Sequence, residues 1–134
     1  MEELKKWVQE ELTVSETSDL VRNRDKVKKA IRITIDGRII FNVDLTGLSA
    51  KQIVSLYMIG KVYANVAGYV DTETVSNREL SEELRMPGGT IGFVLMELRN
   101  ERTIVAEKAG VHRILYSEIE QVLDSVLGAN SRGT

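Results

Sequence analysis

The stretch VSNRELSEELRMPGGTIGFVLMELRNERTIV, residues 75–105, holds the decisive punctuation of this chain. Ser76-Asn77-Arg78-Glu79 has the form of a capping box, in which a serine hydroxyl accepts from the amide three residues on and the glutamate reaches back. A helix is expected over residues 76–86, with Leu80 and Leu84 as its buried stripe. Met86-Pro87-Gly88-Gly89 ends it, because proline cannot continue a helix and glycine relaxes the backbone. A second helix is expected over 90–101, where Ile91, Val94, Leu95 and Leu98 recur at the spacing of one face. Thr103 to Glu107 then reads as a strand, Lys108-Ala109-Gly110 as a turn, and Val111 to Tyr116 as a returning strand.

Downstream, Ser117 is the expected cap of a helix lined by Ile119, Val122, Leu123 and Val126, with residues 128–134 as a frayed polar tail. Upstream, the longest helix is expected over 49–69. Ser49 is its N-cap, Gln52 completes a capping box, and Leu48 can staple onto Ile53. Apolar residues cover nearly all its sides, and such a helix must be buried on more than one face. Gly60, Ala64 and Gly68, four apart, form a ridge that permits close helix approach. Asp36-Gly37 separates the β-branched runs 31–35 and 38–43 and predicts a hairpin with a type I′ turn, both central residues having positive φ. Residues 13–29 are polar; they read either as a linker or as a helix capped by Ser18 that carries Leu20, Val21, Val27 and Ala30. Residues 2–12 form a helix with Leu4, Trp7, Val8 and Leu12 on one face. Trp7, the sole tryptophan, is expected to anchor that face as a packing residue, with a partner contact as the alternative.

From residue 49 the order is helix, capped helix, tight turn, helix, two-stranded hairpin, helix. This order, with Ser76 to Leu84, the turn, Thr90-Ile91, Leu95, Leu98 and Ile104-Val105, resembles the winged helix-turn-helix family. The resemblance covers about residues 49–127 and is specific for the fold rather than for a subfamily. It implies an α+β, mainly α, architecture: residues 1–48 as a packing or dimerisation extension, 49–127 as the winged domain, and 128–134 as a flexible tail. In that family the helix after the turn enters the DNA major groove. By resemblance, helix 90–101 is the recognition helix of a DNA-binding regulator of transcription; a homodimer is expected to use the amino-terminal helix and hairpin together with helix 49–69.

The outward positions of that helix, Gly92, Phe93 and Met96, are apolar where DNA-reading members carry serine, arginine, lysine or glutamine, and Glu97 beside them repels phosphate. Three readings stand. Phe93 and Met96 touch thymine methyls while Arg78, Arg85, Thr90, Arg99, Arg102, Lys108 and Arg113 hold the backbone. Alternatively the same face, with Trp7 elsewhere, docks a partner protein. In the third reading it packs against the amino-terminal segment of this chain or of a dimer mate. Between Asp71 and Arg113 six bases face eight acids, which argues against strong nonspecific DNA affinity.

Composition bounds the remaining classes. The 134 residues are 43% hydrophobic and 28% charged, enough for a core without metal or disulfide. No cysteine is present, which removes thiol chemistry and cysteine-ligated zinc, and one histidine is too few for a histidine cluster. No cofactor, no metal and no enzymatic activity are expected. Gly88 to Gly92 resembles a phosphate cradle only faintly, since it lacks the Walker lysine and a preceding strand. His112 is expected at the surface of the second strand of the 103–116 hairpin. The amino terminus lacks a signal-like apolar stretch, and the run from Ile53 to Val70 is broken by Lys61 and Asn65. A cytoplasmic protein without a membrane partner is the expectation.

Overall fold

The computed structural model describes residues 1–13 and 17–132. Parts of the polar stretch (14–16) and of the expected tail (133–134) lie outside the described residues. The architecture is α+β and mainly helical, with two small antiparallel sheets.

At the amino end, α1 (Glu2–Trp7) continues as a wider π-helical turn, Val8–Leu12, closed by the Thr13 hydroxyl donating to the Val8 carbonyl at 3.0 Å. Not one of its residues is buried, and Trp7 is 50% exposed. Among the described residues the expected packing of Trp7 is not found: α1 has an apolar stripe, and none of its residues is buried.

The polar stretch contains two short helices rather than a linker, α2 (Thr17–Arg22) and α3 (Arg24–Ala30). Ser18 lies inside the first turn of α2 and does not stand at its cap. Leu20, Val27 and Ala30 face the core, whereas Val21 is exposed. The break falls at Asn23, whose buried side-chain amide donates to the Asp19 carbonyl at 2.7 Å. A short polar side chain that bonds its own backbone competes with helix continuation.

β1 (Ile31–Ile33) and β2 (Ile39–Phe41) pair antiparallel, Ile33 opposite Ile39. Their turn departs from the expected type I′. Only Gly37 has positive φ (87°), and Thr34 N–H donates to the Arg38 carbonyl at 3.0 Å while Gly37 N–H donates to the Thr34 carbonyl at 2.9 Å. This is a three-residue loop with glycine at the left-handed position. The Thr34 hydroxyl selects it by donating to the Asp36 carboxylate and accepting Arg38 N–H. Ile35 is consequently left in solvent and not in a strand.

The long helix, α4 (Ala50–Val66), carries the capping box read from Ser49 and Gln52. It ends three residues early. Gly68 takes φ 80°, with Gly68 N–H donating to Asn65 and Tyr69 N–H to Ala64, the paired bonds of a Schellman motif. Val54, Leu56, Met58, Ile59 and Val62 are fully buried, and α4 packs on α6 (Gly88–Asn100), β5 (Val111–Ile114), α7 (Ile119–Arg132) and both strands of the first hairpin. The small-residue ridge serves the hairpin rather than a second helix. A Cβ at Gly60 would lie 2.7 Å from Ile39 Cγ2, while Gly68 faces open space.

Beyond α4 come β3 (Val75–Ser76), α5 (Asn77–Leu84), α6 (Gly88–Asn100), β4 (Ile104–Lys108), β5 (Val111–Ile114), a 3-10 turn (Tyr116–Glu118) and α7 (Ile119–Arg132). The sheet order is β3-β5-β4, so Val75 and Ser76 add a strand where only a hairpin was expected. Ser117 sits within the 3-10 turn and does not cap α7. The expected tail from Gly128 is helical as far as Arg132. The Asn130 side chain holds it, accepting Asp44 N–H at 3.2 Å and donating to the Asp44 carbonyl at 3.1 Å. Leu20, Val27, Ala30 and Ile31 share one core with α4, Leu80, Leu95, Ile114 and Leu123. Among the described residues no helix is long and apolar enough to cross a membrane.

Candidate functional site

The helix pair α5 and α6 is held by local bonds at each joint. The Ser76 hydroxyl accepts Glu79 N–H at 3.0 Å, so half of the expected capping box forms. The Glu79 side chain is drawn elsewhere: it accepts from the Tyr57 hydroxyl at 2.7 Å and pairs with Lys61 at 3.1 Å, both on α4. Burial, and then the Glu79 carboxylate, push the Tyr57 phenol far up, so it stays a neutral donor. This clamp fixes the angle of α5 against α4.

α5 stops at Leu84 because Arg85 adopts the left-handed conformation (φ 55°, ψ 46°). The Ser81 hydroxyl donates to the Met86 carbonyl at 2.6 Å and ties the turn back to α5. Gly88 and Gly89 are not part of the break. They form the first turn of α6, which starts two residues earlier than expected, behind Pro87. Proline at a helix boundary ends one helix and fixes a φ suited to the next. No side chain caps α6, and open space surrounds both glycines.

Ile91, Val94, Leu95 and Leu98 form the buried face, as their spacing predicts. On the opposite face Thr90 is exposed, as are Phe93 (58%) and Met96 (43%), one turn apart. Gly92 and Glu97 are half-buried at the flanks. Among the described residues, the amino-terminal segment leaves Phe93 and Met96 exposed. α6 ends with Arg102 in the left-handed region (φ 62°).

The basic candidates divide sharply. Arg78 pairs with Glu82 at 2.8 Å, and Arg113 with Glu107 at 2.6 Å. Arg99 donates to His112 Nε2 at 2.8 Å. Among the described residues, Arg85, Arg102 and Lys108 have no ion-pair partner. Arg85 lies in the turn before α6, and Lys108 at the end of β4 beside the Gly110 turn. Arg78 and Arg113 are thus half-neutralised before any ligand arrives.

His112 is not a surface residue. It lies on the central strand β5, alternating with Val111 and Arg113, and is 2% exposed. Its inward direction follows from the period of two that it shares with Ile114. Guanidinium only donates, so Nε2 must accept and the ring proton must sit on Nδ1. That nitrogen is buried and has no hydrogen-bond partner. Burial, and secondarily the Arg99 charge, lower the His112 pKa and hold the ring neutral. Neither this pair nor the Tyr57–Glu79–Lys61 clamp was foreseen. The strand alternation carries a signal for the first, and nothing local carries one for the second.

Among the described residues no three acidic or imidazole groups converge to hold a metal ion. Comparison of the chain with protein-family models, with curated proteins and with solved structures found no match.

Proposed function

We propose that this protein is a winged helix-turn-helix DNA-binding protein that acts as a dimer in transcription regulation, with α6 as the recognition helix and the β4–β5 hairpin as the wing. One observation carries this reading: the amino end of α6 is bare. Its first amides have no side-chain cap, its first two residues are glycines in open space, and Thr90 follows, exposed. Uncapped helix amides donate to phosphate oxygens, and the helix dipole favours their negative charge. Arg85 in the turn before it and Lys108 on the wing supply charge that no acid offsets among the described residues. Phe93 and Met96 then face the groove, where apolar side chains contact thymine methyl groups.

A second reading, a winged-helix protein-interaction module, is favoured by the same two side chains. Burying each is worth roughly 1.5–3 kcal/mol, and Arg78 and Arg113 are already paired with acids.

Titration of duplex DNA at several salt concentrations separates them. DNA binding predicts that Arg85→Ala/Lys108→Ala weakens affinity and lowers the slope of log K against log salt by about 2, roughly one per phosphate contact. Arg78→Ala/Arg113→Ala changes it less, because those guanidiniums are shared with carboxylates. Absence of binding at low salt sinks the DNA reading. Capture of a protein partner that Phe93→Ala/Met96→Ala abolishes would then favour the interaction module.

A further inference from the structure

Among the described residues two surfaces are left uncovered by the rest of the chain, and they complement each other. The first is the apolar stripe of the arm formed by α1 and its π-helical turn: Leu4, Trp7, Val8 and Leu12, all exposed. The arm carries four glutamates against two lysines, and Glu3 and Glu11 flank Trp7 four residues to either side, on its own line along the helix. The second is a groove of about 390 Å³ between α3 and β1. Val27, Ile31 and Tyr63 form its apolar floor. Its rim is basic: Arg24, Lys28 and Arg32, each four residues from the next. No carboxylate pairs with these three cations among the described residues, whereas neighbouring Lys26 is already engaged by Glu120 and Asp124. An apolar helix face edged with acid thus stands opposite an apolar groove edged with base.

We infer that the α1 arm of one copy docks in the α3–β1 groove of a second copy, and that the exchange is reciprocal. Charge complementarity identifies the occupant as this chain's own arm. Reciprocity follows from symmetry: a two-fold axis that places one arm in one groove places the other arm in the other groove. Two docked arms also bury twice the area of one, toward the ~1,200–2,000 Å² of a specific interface. This inference rests on the dimer in the proposed function and not on its DNA-binding half. It is read without DNA, so failure of either leaves the other standing.

The test uses the full chain and its single tryptophan. Sedimentation equilibrium should show a dimer, and Trp7 emission should shift to the blue as protein concentration rises through the dissociation constant. Trp7→Ala should weaken dimerisation by roughly thirtyfold or more, as expected for an aromatic anchor. Glu3→Lys/Glu11→Lys sets a basic arm against a basic rim, and Arg24→Glu/Lys28→Glu sets an acidic arm against an acidic rim. Each should be monomeric alone, and an equimolar mixture should form a heterodimer, since both arm–groove pairs then match. All four substituted side chains are exposed, so circular dichroism should stay unchanged. A wild-type monomer at high micromolar concentration overturns the inference. So does a Trp7 emission already blue in the monomer, which would place the arm in its own groove. A dimer indifferent to all three variants, or a mixture that stays monomeric, overturns it as well.

Discussion

His112 illustrates how much a single side chain can set. Its ring is neutral, buried and bonded on one nitrogen only, and its neighbour is a permanent cation. Protonation would place two positive charges within hydrogen-bond distance in a buried setting. The folded-state pKa lies below the ordinary 6.5, so below that pH the unfolded chain binds a proton that the folded chain refuses. Stability from this group is complete above about pH 6.5 and is lost as pH falls through the folded value. Thermal unfolding followed from pH 7.5 to 5 should show this loss, and His112→Phe should flatten the profile over that window. An equally steep profile in the variant would assign the effect to carboxylates. At Arg102, an arginine holds a left-handed position that ordinarily costs about 1–2 kcal/mol outside glycine. Arg102→Gly should stabilise the fold by roughly 0.5–1 kcal/mol, after the entropy of the more flexible unfolded glycine is subtracted, seen as a higher melting temperature. The sequence shows neither position directly. The glycines at 37, 68 and 110 announce positive φ, but an arginine does not.

At the scale of elements, local chemistry was legible where both partners lie within one turn. Ser49 and Gln52 close their box as read, and the buried stripes of α5 and α6 follow their spacing. The Ser76–Glu79 box forms only by half, because Glu79 finds Tyr57 and Lys61, 22 and 18 residues away in sequence. The same limit applies to Asp36-Gly37, where a threonine hydroxyl two residues earlier outweighs the dipeptide's preference. Gly60 belongs to this scale too. It lets β2 lie against the middle of α4, with Ile39 filling the space a side chain would take. Gly60→Ala should cost about 1–3 kcal/mol through overpacking, and pairing it with Ile39→Val should recover part of the loss. Additive melting-temperature losses in the double variant would show that the two residues do not meet. Such recovery is expected only for side chains in direct contact.

Seen as a whole, the molecule divides differently from the way its composition suggests. The stretch 13–48 looks like an appendage, polar and then β-branched, yet its helices and hairpin complete one core with α4 and α7. Long-range apolar contacts of that kind leave only faint marks in a sequence, because Leu20, Val27 and Ala30 are too sparse to declare a face. The arm before it is the reverse case, a well-marked stripe that nothing among the described residues buries. The ion pairs joining Arg22 and Lys26 to Glu120 and Asp124 are surface contacts worth little individually. The helix packing beneath them matters in another way. Once α3 has left the ribosome, about ninety more residues must be made before α7 exists to receive it, which at ~5–20 residues per second is on the order of 5–20 seconds. During that interval α3 shows the nascent chain's surroundings the face that α7 later covers, so this protein's exposure to aggregation is set by translation speed across α4 to α6.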